Sequence, residues 1–133
     1  GEFGTKTAFN FLATKQTGEP FHGDSDGPYS SVWFAWTAPA SGKVTFTTFG
    51  SDYDTTMAGY TGTDVASLTK LEENDDAGTG EQSSITFQVK QGTTYFVAVD
   101  GYGGAEGNIT LNWQLTRPWI LFIPAITGGG AVR

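Results

Sequence analysis

The sequence predicts an all-β domain, a two-sheet antiparallel β-sandwich of seven to eight strands with little or no helix. Short apolar runs alternate with polar residues at a period of two, the pattern of strands that bury one face. Nineteen glycines and many Thr and Ser residues punctuate these runs, as is typical of β-proteins. No window of about eleven residues keeps the 3.6-residue period of an amphipathic helix. Two sheets that cover each other's apolar faces are therefore the economical arrangement.

The N-terminus is predicted to contribute little to this sandwich. We interpret residues 1–9 as a linker or a remnant of cloning, although a short apolar run at 8–13 predicts a first edge strand. The stretch that follows is rich in Gly, Pro, Asp and Ser, which predicts a loop. It contains the only histidine of the chain, His22.

The stretch 31–62 predicts a β-meander of three strands, and the rest of the sandwich is built around it. Val32, Phe34 and Trp36 alternate with residues of the opposite face, and the same alternation returns after a turn that contains Pro, Ser and Gly. An acidic loop opened by Gly50 separates the second strand from the third.

Later residues continue the pattern. Residues 64–73 predict one short helical turn that leads into a strand, and an acidic loop at 74–84 follows. Three further alternating runs predict the last strands. The predicted core collects the inward-facing residues: Phe34, Trp36, Val44, Phe46, Met57, Ile85, Phe87, Val89, Tyr95, Val97, Val99, Ile109, Leu111 and Trp113.

Residues 117–133 are predicted to form a tail outside the sandwich. Within the tail, 119–123 is continuously apolar and bracketed by two prolines. Three interpretations remain open: an extra edge strand, a segment that pairs with a neighbouring chain, or the start of a next module. Because an uncovered apolar edge favours association, we expect a monomer, with dimerisation through this tail as the alternative.

The charge balance disfavours two classes of partner. Fourteen Asp and Glu residues stand against seven Lys and Arg, a formal net charge of −7. Nucleic acids and anionic membranes require clustered basic residues, so we expect neither partner. The chain has no cysteine, which excludes disulfides and thiol catalysis. No segment has the pattern of a membrane span or a signal peptide, and we expect an excised domain or the mature part of a longer chain.

Five segments, read in order, resemble one family. They are ATKQTGEPFHG, SVWFAWTAPASGKVTF, GSDYDTTMAGYTG, the NDD of the second acidic loop and GTTYFVAVDGYGGAEGNITLNW. Together they resemble the bacterial pre-peptidase C-terminal (PPC) domain family over 10–115, which places the domain at 10–116. The resemblance implies a jelly-roll-like β-sandwich, an accessory module of secreted or extracellular multidomain proteins, notably peptidases. The collagen-binding domains of clostridial collagenases are similar, and some of them bind calcium.

The residues that catalysis requires form no recognisable pattern. His22 lies in a loop without a G-x-S-x-G motif or a comparable setting for a nucleophile. Hydrolysis by a carboxylate pair needs two acids that flank the scissile bond, and a chain this short offers no obvious cleft. We therefore expect a protein that is not an enzyme, with a loop histidine that hydrogen-bonds to its surroundings.

The acidic loops predict a calcium site. Calcium binds six to eight oxygen ligands, and gathered like charges repel unless a cation or hydrogen-bond donors lie among them. The alternative is that these side chains accept backbone N–H groups and cap turns. Transition metals are disfavoured by a single His and no Cys. The predicted ligands are Glu19, Asp52, Asp54, Asn74, Asp75 and Asp76.

Four aromatic residues are the predicted ligand contacts: Tyr53, Tyr60, Tyr102 and Trp33. They fit the core alternation poorly, and an exposed ring can stack on the apolar face of a sugar or anchor a protein partner. For Trp33 we favour packing under the Gly-Glu-Pro loop. The sequence does not choose between a polysaccharide and a protein ligand.

These observations predict a non-catalytic accessory module of a secreted multidomain bacterial protein. We expect it to bind an extracellular polymer, either a polysaccharide or a fibrous collagen-like protein, and so to position its parent chain. The alternative is a ligand-free spacer or processing domain that assists secretion or maturation of a parent peptidase or other hydrolase. A solvent-exposed aromatic row on one face would favour the first function.

Overall fold

Eight strands form two antiparallel sheets. The strands are β1 (Phe3–Phe9), β2 (Val32–Thr37), β3 (Gly42–Thr47), β4 (Thr55–Thr61), β5 (Thr69–Asn74), β6 (Ser84–Val89), β7 (Thr94–Gly101) and β8 (Asn108–Thr116). Sheet A has the order β1–β8–β3–β6 and sheet B the order β2–β7–β4–β5, which confirms the predicted β-sandwich. The structure is a computed structural model that describes residues 1–23, 27–76 and 80–118, and the apolar segment 119–123 lies outside them.

Helix is confined, in the described residues, to two single 3₁₀ turns, Val65–Ser67 and Tyr102–Gly104. The first confirms the short helical turn predicted within 64–73. Asp64 caps it by accepting a hydrogen bond from the backbone N–H of Ala66, and β5 follows. Neither turn is long and apolar enough to cross a membrane.

The core lies between the two sheets. Every predicted core residue is buried except Phe34 and Trp113, which are partly buried and pack against the core. Phe46 contacts Trp36 edge-to-face with ring centroids 5.6 Å apart, and it stacks on Phe87 at 5.9 Å. Truncation of a buried aromatic side chain to alanine costs about 3–5 kcal/mol, so these contacts are a major source of stability.

The first strand begins earlier than the sequence predicts. β1 pairs with β8 along its whole length and forms one edge of sheet A. Residues 1–9 therefore belong to the sandwich, and their interpretation as a linker is wrong. The run at 8–13 leaves the sheet at Asn10, whose buried side chain donates to the carbonyl of Ala105 and accepts from the N–H of Gly107.

A second apolar layer covers the outer face of sheet B. The loop that precedes β2 closes over this layer, because its side chains bond to residues of β2 and β4. The outward residues of sheet A remain exposed or half exposed. The two outer faces therefore differ, one partly covered by a loop and the other open to solvent. The layer on sheet B consists of Ala58, Tyr60 and Ala98, with Trp33, Leu68 and Phe96 packed against them.

Candidate functional site

The open face of sheet A is formed by strands without acidic residues. The strands β1, β3, β6 and β8 contain no Asp or Glu, although the chain has fourteen. Lys43 is the one charged residue that these strands direct outward, because the other lysine, Lys6, lies at an inward position of β1. We call this face the platform and define it by Phe3, Thr5, Thr7, Phe9, Thr45, Thr47, Phe49, Thr86, Thr110, Asn112 and Gln114.

Hydrogen bonds fix the polar side chains of the platform. Thr5 Oγ1 donates to Asn112 Oδ1 at 2.9 Å, and Asn112 Nδ2 donates to Thr47 Oγ1 at 3.1 Å. The hydroxyls of Thr45 and Thr86 lie 2.9 Å apart. Neighbouring strands are separated by about 4.8 Å, so the platform presents hydroxyl and amide groups in fixed rows.

Three phenylalanine rings project from the platform. Phe3, Phe9 and Phe49 are 79%, 61% and 50% exposed. Phe3 and Phe9 lie at opposite ends of β1, about 20 Å apart at the rise of an extended chain. The ring of Phe9 also lies 6.0 Å from that of Phe11. Phe9 and Phe11 therefore form a contiguous exposed apolar pair at one end of β1, and contiguous exposed apolar surface is typical of binding sites.

Sequence reasoning missed these rings. The interpretation of residues 1–9 as a linker removes Phe3 and Phe9 from consideration. The sequence signal was weak, because one face of β1 mixes Phe3 and Phe9 with threonines and the other face contains Lys6.

Two of the four predicted aromatic contacts are buried. Tyr53 lies in the core and Tyr60 in the layer on sheet B, and burial, reinforced by nearby carboxylates, raises the pKa of both phenols. Neither ring can reach a ligand, which corrects the prediction for both. Tyr102 is half exposed in the turn after β7. Trp33 is partly buried and packs against the loop that contains Glu19, as the favoured interpretation predicts.

Glu19, a predicted calcium ligand, is buried and bound by protein donors. Its carboxylate accepts the backbone N–H of Gln16 at 2.7 Å and the indole N–H of Trp33 at 3.2 Å. It also accepts the hydroxyl of Ser31 and lies 2.6 Å from His22 Nε2. Burial acts to raise the pKa of Glu19, but these hydrogen bonds outweigh it and lower the pKa below 4.5. Protein donors therefore occupy the carboxylate, which removes Glu19 from the predicted calcium site.

His22 links Glu19 to Tyr60 beneath the surface. Its Nδ1 lies 2.5 Å from the Tyr60 hydroxyl, which is also 3.0 Å from the carbonyl of Phe21. The Tyr60 hydroxyl donates to the carbonyl of Phe21, which can only accept. His22 Nε2 lies within hydrogen-bond distance of the Glu19 carboxylate. Burial lowers the pKa of His22 below 6.5 against the opposing effect of Glu19. We call the group that fastens this loop to sheet B the buried clamp: Glu19, His22, Ser31, Trp33 and Tyr60.

Asp52 and Asn74, two further predicted calcium ligands, hold loops together. Asp52 accepts the backbone N–H of Asn108 at 2.7 Å and its side-chain amide at 2.9 Å, and these bonds lower the pKa of Asp52. Asn74 Oδ1 accepts the backbone N–H of Ser84 at 3.1 Å. Both side chains therefore cap backbone N–H groups, which is the alternative that the sequence leaves open.

The other three predicted calcium ligands lie together. Asp54, Asp75 and Asp76 come from two loops, and each contributes a carboxylate oxygen to a group whose atoms lie within 4.8 Å of one another. Asp76 is exposed, whereas Asp54 and Asp75 are half buried. Hard carboxylate oxygens are the donors that calcium prefers. The chemistry of this group therefore fits the predicted ion with three of the six predicted residues.

No protein-family model, no curated protein and no solved structure matches the chain.

Proposed function

We propose that the domain is a non-catalytic accessory module that binds a neutral polysaccharide through the platform. The observation that carries the proposal is the exposure of Phe3, Phe9 and Phe49 at a sheet whose strands contain no Asp or Glu. Phenyl rings stack against the apolar faces of sugar rings. Fixed Thr, Asn and Gln groups exchange hydrogen bonds with sugar hydroxyls. An exposed aromatic set on one face favours a binding module over a ligand-free spacer.

The charge distribution favours an uncharged ligand. The acidic residues of the described chain lie in loops, in β5 and β7, and at Glu2. A cationic polymer would find one carboxylate at the edge of this face, Asp52, and Asn108 already donates two hydrogen bonds to it. An anionic polymer would find only Lys43 and would be repelled by the net charge of −7. A neutral polysaccharide that spans the distance from Phe3 to Phe9 needs no charged partner on the platform and is not repelled by the net charge.

The family resemblance supports the same proposal. PPC-like modules accompany secreted multidomain bacterial proteins, and we propose that this domain holds such a parent protein on its polymer. The buried clamp supports a non-catalytic role, because it seals the side chain of His22 from solvent.

Replacing the exposed rings is expected to abolish binding without unfolding the domain. The triple variant Phe3→Ala, Phe9→Ala, Phe49→Ala removes the stacking surfaces. We expect its affinity for the polysaccharide to fall at least about tenfold, because each stacking contact of an aromatic ring contributes on the order of 1 kcal/mol. The measurement is a pull-down on insoluble cellulose, xylan, starch and chitin, followed by binding isotherms. Circular dichroism checks the fold.

The matched control is Phe21→Ala, which removes a half-exposed ring from the loop before β2. It should bind like the wild type. Equal binding by the triple variant, or equal loss in the control, would contradict the role of the platform. Binding to collagen fibrils alone would assign a protein ligand, and binding to no polymer would favour the spacer.

We also propose that Asp54, Asp75 and Asp76 hold a calcium ion that joins their two loops. Addition of calcium is expected to raise the melting temperature, and EDTA to lower it. An ion that binds only the folded state stabilises it by about 2.7 kcal/mol when its concentration is 100 times Kd. Differential scanning calorimetry at millimolar calcium measures the shift.

Asp76→Asn tests the location of the ion, because Asp76 is exposed and its replacement leaves no buried gap. The variant should lose most of the calcium-dependent shift. Glu72→Gln, which removes one exposed charge from β5, should keep it. An unchanged melting temperature at millimolar calcium would remove the calcium proposal and leave the polysaccharide proposal intact.

A further inference from the structure

A groove of about 480 Å³ opens on sheet B, on the opposite side of the sandwich from the platform. It lies between the buried clamp and the 3₁₀ turn that precedes β5. Its composition is aromatic and aliphatic, with polar groups at few positions. The residues that matter for its chemistry are Trp33, Phe96, Val65, Leu68, Gln16 and Asp64.

The indole of Trp33 is held in a fixed orientation. Its ring contacts that of His22 edge-to-face with centroids 5.1 Å apart, and that of Tyr60 at 5.4 Å. Its N–H donates to Glu19 at 3.2 Å. Trp33 and Phe96 both line the groove, so aromatic rings that can attract a cation form part of its wall.

Asp64 adds a full negative charge to this groove. One of its oxygens accepts the backbone N–H of Ala66 at 3.0 Å and so keeps the carboxylate in place. Among the described residues that line the groove, Asp64 is the only ionisable one, and none is Lys or Arg. The groove therefore combines aromatic faces with an uncompensated carboxylate, in a chain of net charge −7.

We propose that this groove binds a basic side chain, Lys or Arg, of a partner protein. The aliphatic stem of such a side chain packs on Val65 and Leu68, its cationic head lies over Trp33 and Phe96, and the head pairs with Asp64. Charge complementarity selects this occupant over a neutral or acidic one. The site is separate from the platform, and it gives the module a second, protein-directed contact.

An NMR titration tests the site with small probes. The ¹⁵N-labelled domain is titrated with Nα-acetyl-lysine methylamide, Nα-acetyl-arginine methylamide and the uncharged norleucine analogue. We expect the two basic probes to shift the Trp33 indole N–H and the Phe96 amide in a saturable way, and the norleucine analogue to leave them in place. Raising the salt to about 0.5 M should weaken the shifts, since exposed ion pairs are screened.

Two variants separate charge from shape. Asp64→Asn keeps an oxygen for the N–H of Ala66 but removes the charge, and Phe96→Leu keeps apolar volume but removes the ring. Each should weaken binding several-fold, whereas Glu72→Gln, an equal change of charge outside the groove, should not. Equal shifts with norleucine, no shift at Trp33 with either basic probe, or full affinity of Asp64→Asn would each overturn the proposal. Such a result would leave the polysaccharide test on the platform unaffected.

Discussion

Replacing Glu19 by glutamine is expected to destabilise the domain by about 2–4 kcal/mol. The buried N–H and O–H groups that donate to the carboxylate would then lack an acceptor oxygen. Glu19 accepts hydrogen bonds from the backbone N–H of Gln16 and from the side chains of Ser31, Trp33 and His22. A glutamine offers one acceptor oxygen, and its NH₂ group faces donors. Glu19 therefore holds three parts of the loop before β2 together and joins them to Trp33 of sheet B.

Urea denaturation of Glu19→Gln beside Glu72→Gln measures this difference. Both variants lose one negative charge, but Glu72 is exposed on β5, and surface substitutions change stability by about 0.5 kcal/mol or less. A loss confined to Glu19→Gln supports the buried clamp. Equal midpoints for the two variants would show that the clamp contributes nothing.

Residues 31–62 form three strands as predicted, but the prediction of a β-meander is wrong, because β3 lies in sheet A whereas β2 and β4 lie in sheet B and are separated by β7. The strands themselves were predictable, because their apolar residues face the core. Val44 and Phe46 are buried, and Thr45 between them faces outward. β1 has the opposite pattern, since Phe3 and Phe9 face solvent. A rule that places apolar residues inside cannot recognise such a strand.

Packing of Trp113 explains why β1 has a small residue at an inward position. A Cβ atom at Gly4 would lie 2.6 Å from the indole of Trp113, so β1 can approach β8 only with glycine there. The contact joins residues far apart in the chain. The sequence alone does not show it.

The sequence predicts the acidic site only in part. The sequence indicates which loops carry oxygen ligands, and the fold does bring Asp54, Asp75 and Asp76 together. It cannot indicate which carboxylates already have donors. Glu19 and Asp52 are bound by N–H groups that only the folded chain supplies.

Tyr60 was predicted at the surface because alternation places it on the outer face of sheet B. That face is covered by the loop before β2, so the phenol is buried against His22. Alternation identifies the two faces of a strand. It does not show that a loop seals the second face.

The free energy of unfolding is expected to fall as the pH is lowered from 7.5 to 5.5, and His22 is responsible. Burial lowers its pKa in the folded state below the ordinary value of 6.5, so below pH 6.5 the unfolded chain binds more protons than the folded one. Stability is therefore complete above pH 6.5 and is lost as the pH falls toward the folded pKa, by up to about 1.4 kcal/mol per pH unit. Glu19 adds a second loss below pH 4.5, because its folded pKa is also lowered.

Urea midpoints measured every half pH unit determine the loss of stability between pH 7.5 and 5.5. The composition of the chain makes it simple to assign this loss to one residue. His22 is the only histidine, and no other side chain has an ordinary pKa between 5.5 and 7.5. His22→Gln keeps polar groups within reach of Glu19 and Tyr60, and it should have a flat profile across this interval despite a lower stability at pH 7.5. A sloped profile in His22→Gln, or a flat one in the wild type, would show that the clamp does not exclude protons. If both profiles behave as expected, protonation of the buried clamp releases the loop that borders the groove at Trp33. Lowering the pH should then weaken the binding of a basic side chain in the groove before it weakens polysaccharide binding on the platform.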